Sequence, residues 1–181
     1  MTVVDVARRD GHDLVAAVTV ALGCVALLAR PVSYGSTIAT VLVGCAGLAF
    51  VQRTEEPQPK IRWIAVAAAG VAAFLVVRLM GPGIGVRLTH AGIAVTIVAG
   101  VAEEAFFRRF VYGWICERAG VAAAIVVSAA LFALVHIPAY GIGVLAVDFA
   151  AGVLLGWQRW ASGGWTAPAL THSLGNLMML G

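Results

Sequence analysis

At 181 residues the chain is the length of one domain, but its composition is not that of a soluble one. Hydrophobic residues make up 61% of it, charged residues only 12%, and mean hydropathy is +0.96, against about 45–50% apolar and about 25% charged for soluble domains. These figures imply a polytopic helical membrane protein. The net charge of +3 does not indicate nucleic acid, because the basic residues are scattered singly at the ends of apolar runs, where they orient membrane helices.

Seven apolar segments can be drawn, at about 14–29, 34–51, 63–80, 89–117, 120–136, 142–157 and 165–180. The expected fold is therefore all-α, a bundle of about seven transmembrane helices. Arg8 and Arg9 precede the first segment as they would in a signal peptide. No A-x-A site follows, so it reads as a retained span. One polar linker, Gln52 to Arg62, carries two glutamates, two prolines, Lys60 and Arg62. It divides residues 1–62, two spans and the linker, from a longer block at 63–181 that holds the unusual polar residues. With the N-terminus in the cytoplasm, seven basic residues fall on the inner side and three on the outer, which favours that orientation in the plasma membrane. Cys24, Cys45 and Cys116 share no CxxC spacing and read as small packing residues. His12 and His90 fall outside the apolar segments and are expected to be solvated.

The fourth segment would measure about 45 Å as a single helix from Thr89 to Arg118, too long for a plain span. Arg109, Tyr112, Trp114 and Glu117 in its second half suit a membrane interface, and Gly120 supplies a break. In its middle stands Val-Ala-Glu-Glu-Ala-Phe-Phe-Arg-Arg-Phe, residues 101–110, whose glutamates follow twelve residues, Ala91 to Ala102, without a charge. A charge at a helix centre in a bilayer costs roughly 2.5–3.5 kcal/mol unless it is paired or faces a wet cavity. Glu104 and Arg108 are i and i+4 and can form a structural ion pair. Glu103 lies about 100° round the helix, and Phe107 occupies its own i+4 position. It is the carboxylate left for chemistry.

His136 follows Gly120 by sixteen residues, as Glu103 precedes it by seventeen. A helical hairpin turning at Gly120 brings both to the same depth. Ile137-Pro138 should end that helix within a turn, and Phe132 shares the face of His136. On the last helix, His172 and Asn176 are also i and i+4, in an apolar frame that Pro168 starts or kinks. Taken alone, such a pair glues helices by hydrogen bonds. Asp148, in the sixth segment, is a further intramembrane acid, read as a packing or supporting residue and left outside the site. A carboxylate and a histidine can share and deprotonate a water, while a second histidine and a carboxamide donate to an oxyanion. Glu103, His136 and His172 could instead hold Zn²⁺ or another divalent metal with an open position for water. Both are amide hydrolysis, and the residue types do not choose between them.

EEAFFR at 103–108, FALVH at 132–136 and HSLGN at 172–176 fit EExxxR, FxxxH and HxxxN in order. In these motifs the chain resembles the CPBP intramembrane proteases, also called the Abi or CAAX-protease family. The resemblance spans roughly 89–181, and the first two spans carry no motif. It implies an endopeptidase acting on a peptide or protein substrate in the lipid bilayer, of a family often called metalloproteases but for which a metal-free glutamate mechanism is also argued. By that likeness Glu103 and His136 activate water, and His172 and Asn176 form the oxyanion site. Nothing in the sequence indicates a prenylated substrate. A small transporter would also carry Glu, His and Asn inside a bundle, but paired half-helix breaks and inverted repeats are missing from the sequence. A non-catalytic bacteriocin-immunity protein would be expected to have lost a motif residue, and all are present.

Overall fold

The computed structural model describes residues 3–29, 35–50, 61–80 and 89–180, and all regular structure among them is helical. The helices are α1 (Val3–Leu28), α2 (Gly35–Ala49), α3 (Trp63–Met80), α4 (His90–Glu104), α5 (Tyr112–Tyr140), α6 (Leu145–Ser162) and α7 (Thr166–Leu180). A π-helical stretch, Ala105–Val111, joins α4 to α5, and a 3₁₀ turn, Ile142–Val144, precedes α6. Most of the expected linker, residues 51–60, lies outside the described residues, as do Arg30, Arg53, Lys60 and Arg87 from the charge argument.

Among the described residues, four stretches are long and apolar enough to cross a membrane: Gly11–Leu28, Trp63–Met80, His90–Tyr140 and Ile142–Ser162. The third of these is too long for one crossing. Gly120 (φ 81°, ψ 175°) breaks it, a conformation that only glycine adopts without strain. The chain folds back there, so that Phe107 meets Phe132 edge to face at 5.5 Å between ring centres. Large apolar side chains of α1 and α3, such as Leu14, Leu22, Ile64, Leu79 and Met80, are exposed in a way that only lipid tolerates. The protein is an integral membrane protein.

The segment boundaries differ from those expected wherever hydropathy and helicity part company. α1 starts at Val3 rather than near 14, because no proline stops the helix running out into polar residues. His12 consequently lies within α1, half-buried, with its ring 4.9 Å from that of Phe50, whereas His90 is exposed as expected. α5 continues through Pro138 to Tyr140 and stops where Gly141 turns to φ 83°. α6 extends to Ser162 and closes on Gly163 in the left-handed conformation.

α7 is the hub of the second block, packed on α3, α4 and α6, while α5 packs along α6 and α2 lies on α4. The α2–α4 contact is close: a Cβ on Gly44 would come within 2.6 Å of the Ala102 Cβ. Such small-residue seams replace the hydrophobic drive that lipid removes. A core of Phe106, Phe107, Phe110, Val111, Phe132 and Val135 fills the hairpin. Gln158 ties three helices by donating to the Val66 carbonyl (2.7 Å) and the Thr171 hydroxyl (2.9 Å).

Candidate active site

The last turn of α4 ends in Glu103 and Glu104, and the helix then widens. The amide of Tyr112 bonds to the Phe107 carbonyl five residues back, the signature of a π turn. Widening exposes the Arg108 carbonyl, which accepts Nε–H of Arg159 from α6 at 3.1 Å. The Arg108 side chain is fully buried. It donates to Glu104 Oε1 at 3.0 Å and to the Gly152 carbonyl at 3.1 Å, with its guanidinium carbon 4.6 Å from the Phe132 ring centre. α6 thus grips one residue twice, by backbone and by side chain. Arg109 turns the other way and caps the end of α2 through the carbonyls of Gly47, Leu48 and Phe50.

The expected Glu104–Arg108 pair is present, but it is not self-contained. Oε1 of Glu104 also accepts Nδ1–H of His172 at 2.8 Å. An ionised carboxylate only accepts, so the ring must be the donor. His136 Nδ1 stands 2.7 Å from the Phe132 carbonyl, which likewise only accepts. Both imidazoles therefore carry their proton on Nδ1, and in the neutral ring each presents a lone pair at Nε2. Those nitrogens face the same oxygen: Glu103 Oε2 lies 3.7 Å from His136 Nε2 and 3.9 Å from His172 Nε2.

Glu103, His136, His172 and Asn176 all line one cavity of about 500 Å³, whose walls include Phe74, Val95, Phe132, Val144 and Leu155. The counting that placed Glu103 and His136 at one depth agrees with their contact. Asp148, which sequence reasoning left outside the site, lines the same cavity. The signal for it was already visible as a carboxylate within an apolar helix. The link from Glu104 to His172 and the grip of Arg159 carried no comparable signal, because each joins residues far apart in sequence.

The donor types at Glu103, His136 and His172 are those of a zinc site, and each Nδ1–H has the outer partner that metal-bound histidines usually have. Their spacing is another matter. Ligands on a tetrahedral ion with bonds of about 2.0–2.1 Å stand roughly 3.3 Å apart, and the two measured separations are wider. Among the described residues no group of three or more His, Cys, Asp and Glu is arranged to hold a metal ion. As placed, the residues do not fit the ion.

Comparison with curated proteins and with solved structures gives no match for this chain. Comparison with protein families matches residues 85–178, more than half of the chain and all three motifs, to type II CAAX prenyl endopeptidase Rce1-like proteins. The chain belongs to that family of membrane-embedded endopeptidases.

Proposed function

We propose that this protein is an intramembrane endopeptidase that hydrolyses a peptide bond of a membrane-associated substrate with a water activated by Glu103 and His136. The observation that carries this reading is the convergence of Glu103 Oε2 and two Nε2 lone pairs on a cavity within an apolar bundle. A water hydrogen-bonded to two groups sits about 2.8 Å from each. The 3.7 Å between Glu103 and His136 leaves room for it above their line of centres.

The water oxygen attacks the scissile carbonyl carbon while Glu103 takes one of its protons and His136 Nε2 accepts a hydrogen bond from the other. The tetrahedral oxyanion is met by the Asn176 carboxamide N–H. His172 shares that duty only when its ring carries a second proton, since Nδ1–H is already given to Glu104. The C–N bond then breaks, and Glu103 returns its proton to the leaving nitrogen. Glu104 and Arg108 do no chemistry in this scheme; they fix the orientation of His172. In this reading seven helices cross the membrane with the N-terminus in the cytoplasm, and no step passes through a metal.

The test is cleavage of a peptide panel, prenylated and unprenylated, by protein purified in detergent, with metal content measured on the same sample. Cleavage by metal-free protein is expected. Activity that disappears with the metal and returns with Zn²⁺ would replace this water mechanism by a metal-bound one.

A further inference from the structure

Peptide hydrolysis creates two new ends, and none of the residues assigned so far receives the nitrogen end once it is charged. The nitrogen end leaves as an amine that becomes an ammonium ion near neutral pH, because an α-amino group titrates at about 7.7–8.0. A cation in a cavity walled by Phe74, Val95, Val144 and Leu155 is costly unless a carboxylate meets it. Glu103, once it has given up its proton, faces the two histidine rings, and Glu104 is bonded to Arg108 and His172. Among the described residues, one further carboxylate lines the cavity, that of Asp148.

Asp148 sits on α6 one turn before Gly152, whose carbonyl is fixed by Arg108, so its backbone is held by the same grip that orders the catalytic side. The titratable groups that act on it are His136, His172 and Glu103. One of its oxygens, Oδ2, is buried and takes no hydrogen bond from any described residue. A buried carboxylate oxygen without a donor is an acceptor waiting for one. None of the steps assigned to Glu103, His136, His172 or Asn176 uses it.

We infer that Asp148 is the receiving group for the leaving amine, so that the nitrogen side of the scissile bond lies against α6 and the carbonyl side against Asn176. This rests on the endopeptidase reading. As the C–N bond breaks, the proton from Glu103 completes a neutral amine. The amine takes a second proton from solvent, and the ammonium is held by Asp148 until the fragment departs. The same carboxylate accepts a hydrogen bond from the substrate amide before cleavage, which orients the peptide in the cavity.

The probe is a short leucine-rich peptide amide with a free α-amine and its N-acetylated twin, both fluorescently labelled and titrated by anisotropy onto full-length protein in detergent. The free-amine peptide is expected to bind about tenfold more tightly than its twin, with the advantage falling below twofold in Asp148→Asn. Asp148→Glu, which keeps the charge, should retain part of it and covers the case in which Asp148→Asn does not fold. Equal binding of the twins to the wild type, no saturable binding, or an advantage that survives in Asp148→Asn would overturn the assignment. Because binding is read without turnover, a failure of hydrolysis leaves this result standing apart. Cleavage unaffected by Glu103→Gln would sink the endopeptidase mechanism and not the amine site.

Discussion

Glu103 and Glu104 are consecutive residues, yet the two faces of the helix end they occupy are built on opposite plans. On the Glu104 face hydrogen bonds link the partners: Arg108 reaches Glu104 and Gly152, Glu104 reaches His172, and Arg159 holds the Arg108 backbone. On the Glu103 face the two histidines stand 3.7 and 3.9 Å from the carboxylate, beyond direct hydrogen-bonding distance, and the space opens into the cavity. The difference teaches how a bilayer protein can keep reactive groups apart without letting them drift. A rigid, hydrogen-bonded network on one side sets the geometry, and the other side is left to bind water and substrate.

If the Glu104 face is structural, breaking it should cost stability first. Glu104→Ala strands a fully buried guanidinium and should destabilise the protein by about 3–5 kcal/mol, and Arg108→Ala should do comparable damage. The double variant should recover part of the loss, as unfolding in detergent would show. A Glu104→Ala variant as stable as wild type would erase the distinction between the faces.

The cavity face should respond in rate. Asn176→Ala is expected to lower kcat by about 10²–10³ with little change in KM, the usual loss on removing one oxyanion donor. A rise in KM with kcat unchanged would make Asn176 a substrate-binding residue instead.

The comparison also depends on the hairpin that brings His136 to Glu103. A Cβ at Gly120 would meet nothing within 4 Å, so Gly120→Ala probes the backbone alone. Its φ of 81° predicts a cost of about 1–3 kcal/mol in unfolding experiments. No cost would mean that the turn relaxes freely and does not set the depth of the two residues.

Much of this arrangement was legible in the sequence, and the reasons are local. The i, i+4 spacing of Glu104 and Arg108, and that of His172 and Asn176, reads directly as shared helical faces. Gly120 marks the turn about which Glu103 and His136 are nearly symmetric. The missing parts are those that depend on packing. Ala105–Val111 contains no glycine or proline, so its π winding has no local marker; its exposed carbonyl is taken up by Arg159, fifty-one residues away. Glu104 appeared complete once Arg108 was found, and only the approach of α7 shows that it serves His172 as well. Asp148 was noticed as an acid in an apolar helix, but without a partner four residues on it could not be assigned to the cavity until α6 was placed.

The most direct test of the division between the two carboxylates is the pair Glu103→Gln and Glu104→Gln, assayed for peptide cleavage and thermal unfolding side by side. Glu103→Gln is expected to unfold at the wild-type temperature and to lose at least about 10²-fold in hydrolysis, since the amide cannot take the proton from water. Glu104→Gln should instead unfold at lower temperature while its folded fraction still cleaves. The reverse pattern, with Glu103→Gln active and Glu104→Gln stable but inert, would contradict the assignment of water activation to Glu103.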